Sequence, residues 1–156
     1  MFQRYASDAR MTRYLSWRPH RATDETRGFI EITDSWWRAG SVFTWGIWSR
    51  QSNEFLGTLA ARPENARGHR VQVGYALAPA HWRQGIMSEA LGAVLEWLRD
   101  QPEVFRVWAF CDIDNAASAG LLAHLGMTRE GVLRRWNVHP NVGDEPRDCA
   151  CYAITK

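Results

Sequence analysis

With 156 residues, 46% of them apolar and 23% charged, the chain has the size and mixture of one soluble globular domain spanning 1–156, with room for one core and not for two. No apolar run nears the roughly 20 residues that span a bilayer, and the opening Met1-Phe2-Gln3-Arg4-Tyr5 lacks the apolar stretch of a signal peptide, so the expectation is a cytoplasmic protein with no membrane partner. Nineteen basic against seventeen acidic residues leave +2, too little to neutralise a run of phosphates, which argues against nucleic acid as a partner even though nine tryptophans could stack on bases.

The basic residues are eighteen Arg and Lys156, spread along the chain, which reads as a compositional bias before a function. Cys111, Cys149 and Cys151 are an odd number without zinc-type spacing, so free, partly buried thiols and no metal are expected.

In chain order, Phe2, Tyr5, Ala6 and Ala9 have helical spacing, interrupted at Ser7-Asp8 and Arg18-Pro19-His20. A second helix follows, with Thr23 as N-cap, Asp24 and Glu25 at the positive end of the dipole, a buried stripe of Phe29, Ile30, Trp36 and Trp37, and a stop at Gly40. Val42 to Ser49 and Glu54 to Ala61 flank Arg50-Gln51-Ser52-Asn53 and predict an antiparallel hairpin. A polar stretch, Arg62 to His69, leads to a strand from Val71 that stops before Pro79. Gly85 to Arg99 carries one apolar face, and Val104 to Cys111 is apolar on both faces apart from Arg106, as in a strand covered on both sides. A short helix from Ala116 to Leu125 is closed by Gly126, and Met127 to His139 and Asp148 to Thr155 are the closing strands. The sum is a mixed α/β fold with a sheet of about six strands, in which the helix at 85–99 makes a parallel crossover.

Chemistry concentrates in Leu77 to Ala90, where a strand ends, the chain turns through Gly85 and a long helix begins. The free N–H groups of Gln84 to Ser88 converge there with the positive helix end behind them, which makes either a phosphate site or an ordinary strand-to-helix turn. The GxxxxGK[ST] and GxGxxG patterns of nucleotide loops are absent.

Five stretches together, Val73-Gly74-Tyr75-Ala76-Leu77, Trp82 to Leu91, Asp114-Asn115-Ala116-Ala117-Ser118, Leu125-Gly126-Met127 and Glu130 to Arg134, resemble the GCN5-related N-acetyltransferases (GNAT). Within them the chain is most similar to the branch that acetylates the N-termini of ribosomal proteins, and Pro140-Asn141 with Glu145 to Cys149 resembles a subgroup of that branch. The resemblance implies a GNAT-like sheet with a splayed strand pair that holds acetyl-CoA. Its pantetheine would lie along Tyr75, Ala76 and Leu77, and its pyrophosphate on Gln84, Gly85, Ile86, Met87 and Ser88, with Arg83 as a nearby cation. Asn115 would contact the pantetheine and Ser118 would give a proton to the departing thiolate, the alternative for each being a helix cap. The reaction implied is direct attack by a neutral amine on the thioester, the oxyanion held by a backbone N–H near Leu77.

Two departures stand out. Where many relatives carry a Glu general base this chain has Gln72, and where ribosomal-protein acetyltransferases can carry an acid it has Asn137. His139, on the same strand face, is the substitute base, or else a solvated side chain beside Pro140; Asp148 is the second candidate, and Tyr75 is either an acid or core. The family's first strand is also missing, which implies a gene start farther upstream or an open edge at Val42 to Ser49 that pairs in a homodimer. Trp17, His20, Trp36, Trp136 and His139 are expected around the acceptor, a small amine or a protein N-terminus. The rival to an enzyme is a non-catalytic acyl-CoA-binding module that has lost its base.

Overall fold

The structure is a computed structural model and describes residues 1–64 and 68–156, so residues 65–67 of the polar stretch lie outside the described residues. The chain opens with one wide helical turn, Phe2–Ala6, and a short helix α1, Ala9–Thr12, whose N-cap Asp8 accepts from the Arg10 N–H. Next come α2 (Thr23–Arg38), β1 (Phe43–Trp48), β2 (Phe55–Pro63) and β3 (Arg70–Leu77). After a 3₁₀ turn at Pro79–His81 the order is α3 (Ile86–Asp100), β4 (Arg106–Asp112), α4 (Ala116–His124), β5 (Thr128–Val138) and β6 (Pro146–Thr155). One mixed sheet takes the order β1-β2-β3-β4-β6-β5, antiparallel throughout except for β3 and β4.

The β3–α3–β4 crossover forms because the α3 sequence repeats apolar residues at helical spacing. Met87, Leu91, Leu95 and Leu98 are buried against Leu59, Val71, Val73, Val107 and Ala109 of the sheet. Each such burial is worth roughly 1.5–3 kcal/mol. The opposite face of β4 is different. Trp108 and Phe110 are only half-buried, so β4 is covered fully on one side, and the expected cover on both is corrected.

The second helix also departs from expectation. Ala22 is the N-cap and Thr23 the first helical residue; the Glu25 carboxylate reaches back to the Arg21 N–H. Its apolar stripe is not buried: Thr26 is its one buried residue, while Ile30 and Trp37 are 50% and 41% exposed. The reason is position. α2 packs on β1, which is the edge of the sheet, so it has half a surface to lie on. Trp37 meets Phe43 and Trp45 edge-on, and Thr26 hydrogen-bonds His20 at 2.8 Å.

Candidate active site

β3 and β4 pair only over Arg70–Gln72 and Arg106–Trp108. Beyond that point no pairing joins them, and the strands from Val73 to Leu77 and from Ala109 to Asp112 part. Two parallel strands that separate leave backbone N–H and C=O groups facing the gap, and those groups need partners from elsewhere. The gap opens into a cleft of about 1620 Å³.

One wing of the cleft is the start of α3. Gly85 is its N-cap at φ +78°, a left-handed conformation that glycine adopts without strain, and Arg83 sits at φ +60°. The first intrahelical bond runs from the Glu89 N–H to the Gly85 carbonyl, so the amides of Ile86, Met87 and Ser88 have no partner within the helix. The loop is tied down from outside: the Trp82 indole donates to the Leu77 carbonyl at 2.7 Å and the Gln84 amide to the Ala80 carbonyl at 2.9 Å. Arg83 has no carboxylate partner among the described residues. The set suits a pyrophosphate: oriented amides, a positive helix end and a free cation.

The floor is polar. The Tyr75 hydroxyl lies 2.6 Å from the Ser118 hydroxyl. Burial pushes the Tyr75 phenol well above its ordinary range and raises the Cys111 thiol too, so both keep their protons. Asn115 is the N-cap of α4, its Oδ1 accepting from the Ser118 N–H at 3.2 Å, while its amide nitrogen has no partner among the described residues.

The other wing is built from Arg10, Met11 and Arg13–Ser16, the open face of β3 and β4 at Gln72, Trp108 and Phe110, and Trp136, Asn137 and His139 at and just past the end of β5. Trp108, Phe110 and Trp136 form an aromatic wall with centroids 6.1 and 6.2 Å apart, and the Trp108 indole N–H is buried without a partner among the described residues. At its end stands a charged knot that sequence reading missed. The Asp112 carboxylate, with no exposed side-chain surface, accepts from Arg147 at 2.6 and 3.1 Å, and Arg147 reaches Asp114 at 2.5 Å. Burial opposes ionisation of Asp112, but Arg147 and the Asp114 N–H outweigh it and hold the carboxyl below the usual range. His139 lies 3.6 Å from Asp112, 3.4 Å from Asn137 and 3.8 Å from the Cys149 sulfur. It is 2% exposed, so the alternative of a solvated ring is corrected, and burial holds its pKa below 6.5 against the pull of Asp112.

Every residue expected to hold the cofactor, Tyr75–Leu77, Arg83–Ser88, Asn115 and Ser118, lines this one cleft. Trp136 and His139 line it as well. Trp17, His20 and Trp36 do not: Trp17 stacks on His20 at 4.9 Å and packs on Phe29, and Trp36 lies on α2. Asp148 is also away from the cleft, its carboxylate taken by the Arg134 guanidinium at 2.7 Å and the Arg135 N–H at 2.9 Å. The three cysteines are free and buried.

Residues 1–128 match the acetyltransferase (GNAT) domain family, and the chain belongs to it. An uncharacterized N-acetyltransferase, YoaA, of Bacillus subtilis is 28% identical over 150 residues, 96% of this chain and 83% of that protein. The [ribosomal protein uS5]-alanine N-acetyltransferase of Escherichia coli is 29% identical over 99 residues, 62% of this chain and 50% of that enzyme. Among solved structures, RimL, a ribosomal L7/L12 alpha-N-protein acetyltransferase in complex with coenzyme A, superposes with a TM-score of 0.84 at 23% identity, covering 96% of this chain and 82% of that one. Among the described residues no helix is long and apolar enough to cross a membrane.

Proposed function

We propose that residues 1–156 act as one domain that transfers the acetyl group of acetyl-CoA to a primary amine, a protein N-terminus or a small-molecule amine. The observation that carries this reading is the splayed β3–β4 pair with the unpaired α3 amides on one side and the aromatic wall on the other. Acetyl-CoA supplies an activated carbonyl and a thiolate leaving group. Tyr75–Leu77 orient its pantetheine through the free strand edge, the amides of Ile86–Ser88 with Arg83 bind its pyrophosphate, and Asn115 offers its amide nitrogen. A backbone N–H near Leu77 holds the oxyanion.

Ser118 hands its proton to the thiolate and regains one from solvent as CoA leaves, while Tyr75, 2.6 Å away and held protonated by burial, orients the Ser118 hydroxyl. On the acceptor side Gln72 cannot take a proton, and Asp112 and Asp114 are both tied to Arg147. That leaves the neutral His139 ring to receive the proton from the amine, with Trp136 and Phe110 flanking the acceptor. Tying up of the carboxylates also favours the second reading, a module that binds acyl-CoA without turning it over.

Release of CoA thiol, measured with an alanine-initiated hexapeptide and with spermine as acceptors, tests the first reading. Turnover that falls by about a hundredfold in Ser118→Ala, well beyond any loss of CoA affinity, is the expected result. Tight CoA binding without thiol release for either acceptor favours the module.

A further inference from the structure

The acceptor wing has an unusual construction: its wall at Arg13–Ser16 follows the short α1 and belongs to no helix or strand. What holds it comes from the far end of the chain. Asn141, on the turn between β5 and β6, donates both hydrogens of its amide, one to the Thr12 carbonyl at 2.7 Å and one to the Trp17 carbonyl at 2.8 Å. Those two carbonyls bracket the wall. The turn is itself closed by the Val142 and Gly143 N–H groups, which donate to the His139 carbonyl at 2.8 and 3.1 Å. From the wall, the Tyr14 ring meets the His139 ring edge-on at 6.1 Å. The other tie across this junction, Arg18 to Asp144 at 3.5 Å, joins two exposed side chains and contributes little.

We propose that Asn141 is a positioning residue for acceptor binding: by holding the carbonyls of Thr12 and Trp17 it sets Arg13–Ser16 as the acceptor wall and, through Tyr14, fixes the ring of His139. This rests on the transferase reading. An amide is the group the position requires, since it has two hydrogens for two carbonyls; a carboxylate of the same shape would set its oxygens against both. The α3 wing shares none of these contacts, so cofactor binding is separable from acceptor binding.

The test compares wild type with Asn141→Asp, Asn141→Ala and, as a control on the same junction, Arg18→Ala. KM and kcat are measured by thiol release with the better of the hexapeptide and spermine, CoA affinity by calorimetry, and amide exchange at 13–16 by mass spectrometry. KM for the probe is expected to rise about tenfold or more in Asn141→Asp, because a displacement near 1 Å in a positioning element has effects of that size. CoA affinity should hold, exchange at 13–16 should quicken in both Asn141 variants, and Arg18→Ala should leave all three unchanged. An unchanged KM, or a KM and CoA affinity that worsen together, overturns the assignment. If neither variant folds, wild type decides: the amides of 13–16 must gain protection when the probe is added, and no gain overturns it. Absence of thiol release by wild type sinks the transferase reading and this one with it, whereas release with an unchanged variant KM sinks this one alone.

Discussion

The Asp112 carboxylate, without exposed side-chain surface, depends on Arg147 for its charge, and Arg147 is itself 30% exposed. Removing the guanidinium leaves a buried carboxylate with His139 3.6 Å away. Arg147→Ala is therefore expected to lower the urea midpoint of unfolding; an unchanged midpoint would mean that water replaces the guanidinium. pH reads the same knot. Burial lowers the folded pKa of His139 below 6.5, and Arg147 lowers that of Asp112 below 3.8. In both cases the unfolded chain binds more protons than the folded one as pH falls, so the stability is present above the unfolded value and lost downward through the folded one. The melting temperature should fall as pH drops below about 6.5, and His139→Gln should remove that first slope while leaving the one near Asp112. A melting temperature that rises on acidification through this range would refute the sign. Ser118 and Asn115 could be picked from sequence because they stand in one short motif. The Asp112–Arg147 contact joins residues 35 apart, on strands whose adjacency no local pattern announces.

At the scale of elements, β5 carries the feature that aims Trp136 of the aromatic wall. Its register against β6 shifts between Leu133 and Asn137, with Arg135 at φ +46°, and an irregularity of this kind bends a strand and re-aims its side chains. Asp148 holds the shift through the Arg135 N–H and the Arg134 guanidinium, which gives it a structural part in placing Trp136. Asp148→Ala should raise the acceptor KM by several-fold and leave CoA affinity alone, read in the same two assays. Equal loss in both would place its effect elsewhere in the fold. Close approach shapes β2 as well: a Cβ on Gly57 would lie 2.3 Å from the Ala76 carbonyl, so glycine is what lets β2 press on β3. The hairpin, the crossover helix and the closing strands were readable from periodicity and turn residues. The register shift was not, since Arg134-Arg135-Trp136 reads as uninterrupted strand and only the partner β6 defines a mismatch.

For the whole molecule, the cleft is a consequence of topology. β3 and β4 are neighbours joined by a helix, and they stay paired for three residues before separating, so a ligand in the gap would bridge two parts of one sheet. CoA at about a hundred times its Kd should then stabilise the fold by about 2.7 kcal/mol, visible as a rise in melting temperature; no rise at saturation would show that the cleft does not take it. The nine tryptophans divide along the same lines. Trp108 and Trp136 line the cleft and Trp82 ties the loop before α3, whereas Trp37, Trp45 and Trp97 form an edge-on aromatic row between α2, β1 and α3.

By itself the sequence determined the order of elements, the parallel crossover and the turn that opens α3, because each depends on residues close together in the chain: apolar spacing, a glycine at a positive φ, a cap. Tertiary structure decided the opposite wing of the cleft. Thr12 and Trp17 meet Asn141, Tyr14 meets His139, and Arg147 meets Asp112 only after the sheet has assembled, and whether an imidazole or carboxylate there is solvated, paired or buried follows from neighbours far away in the chain.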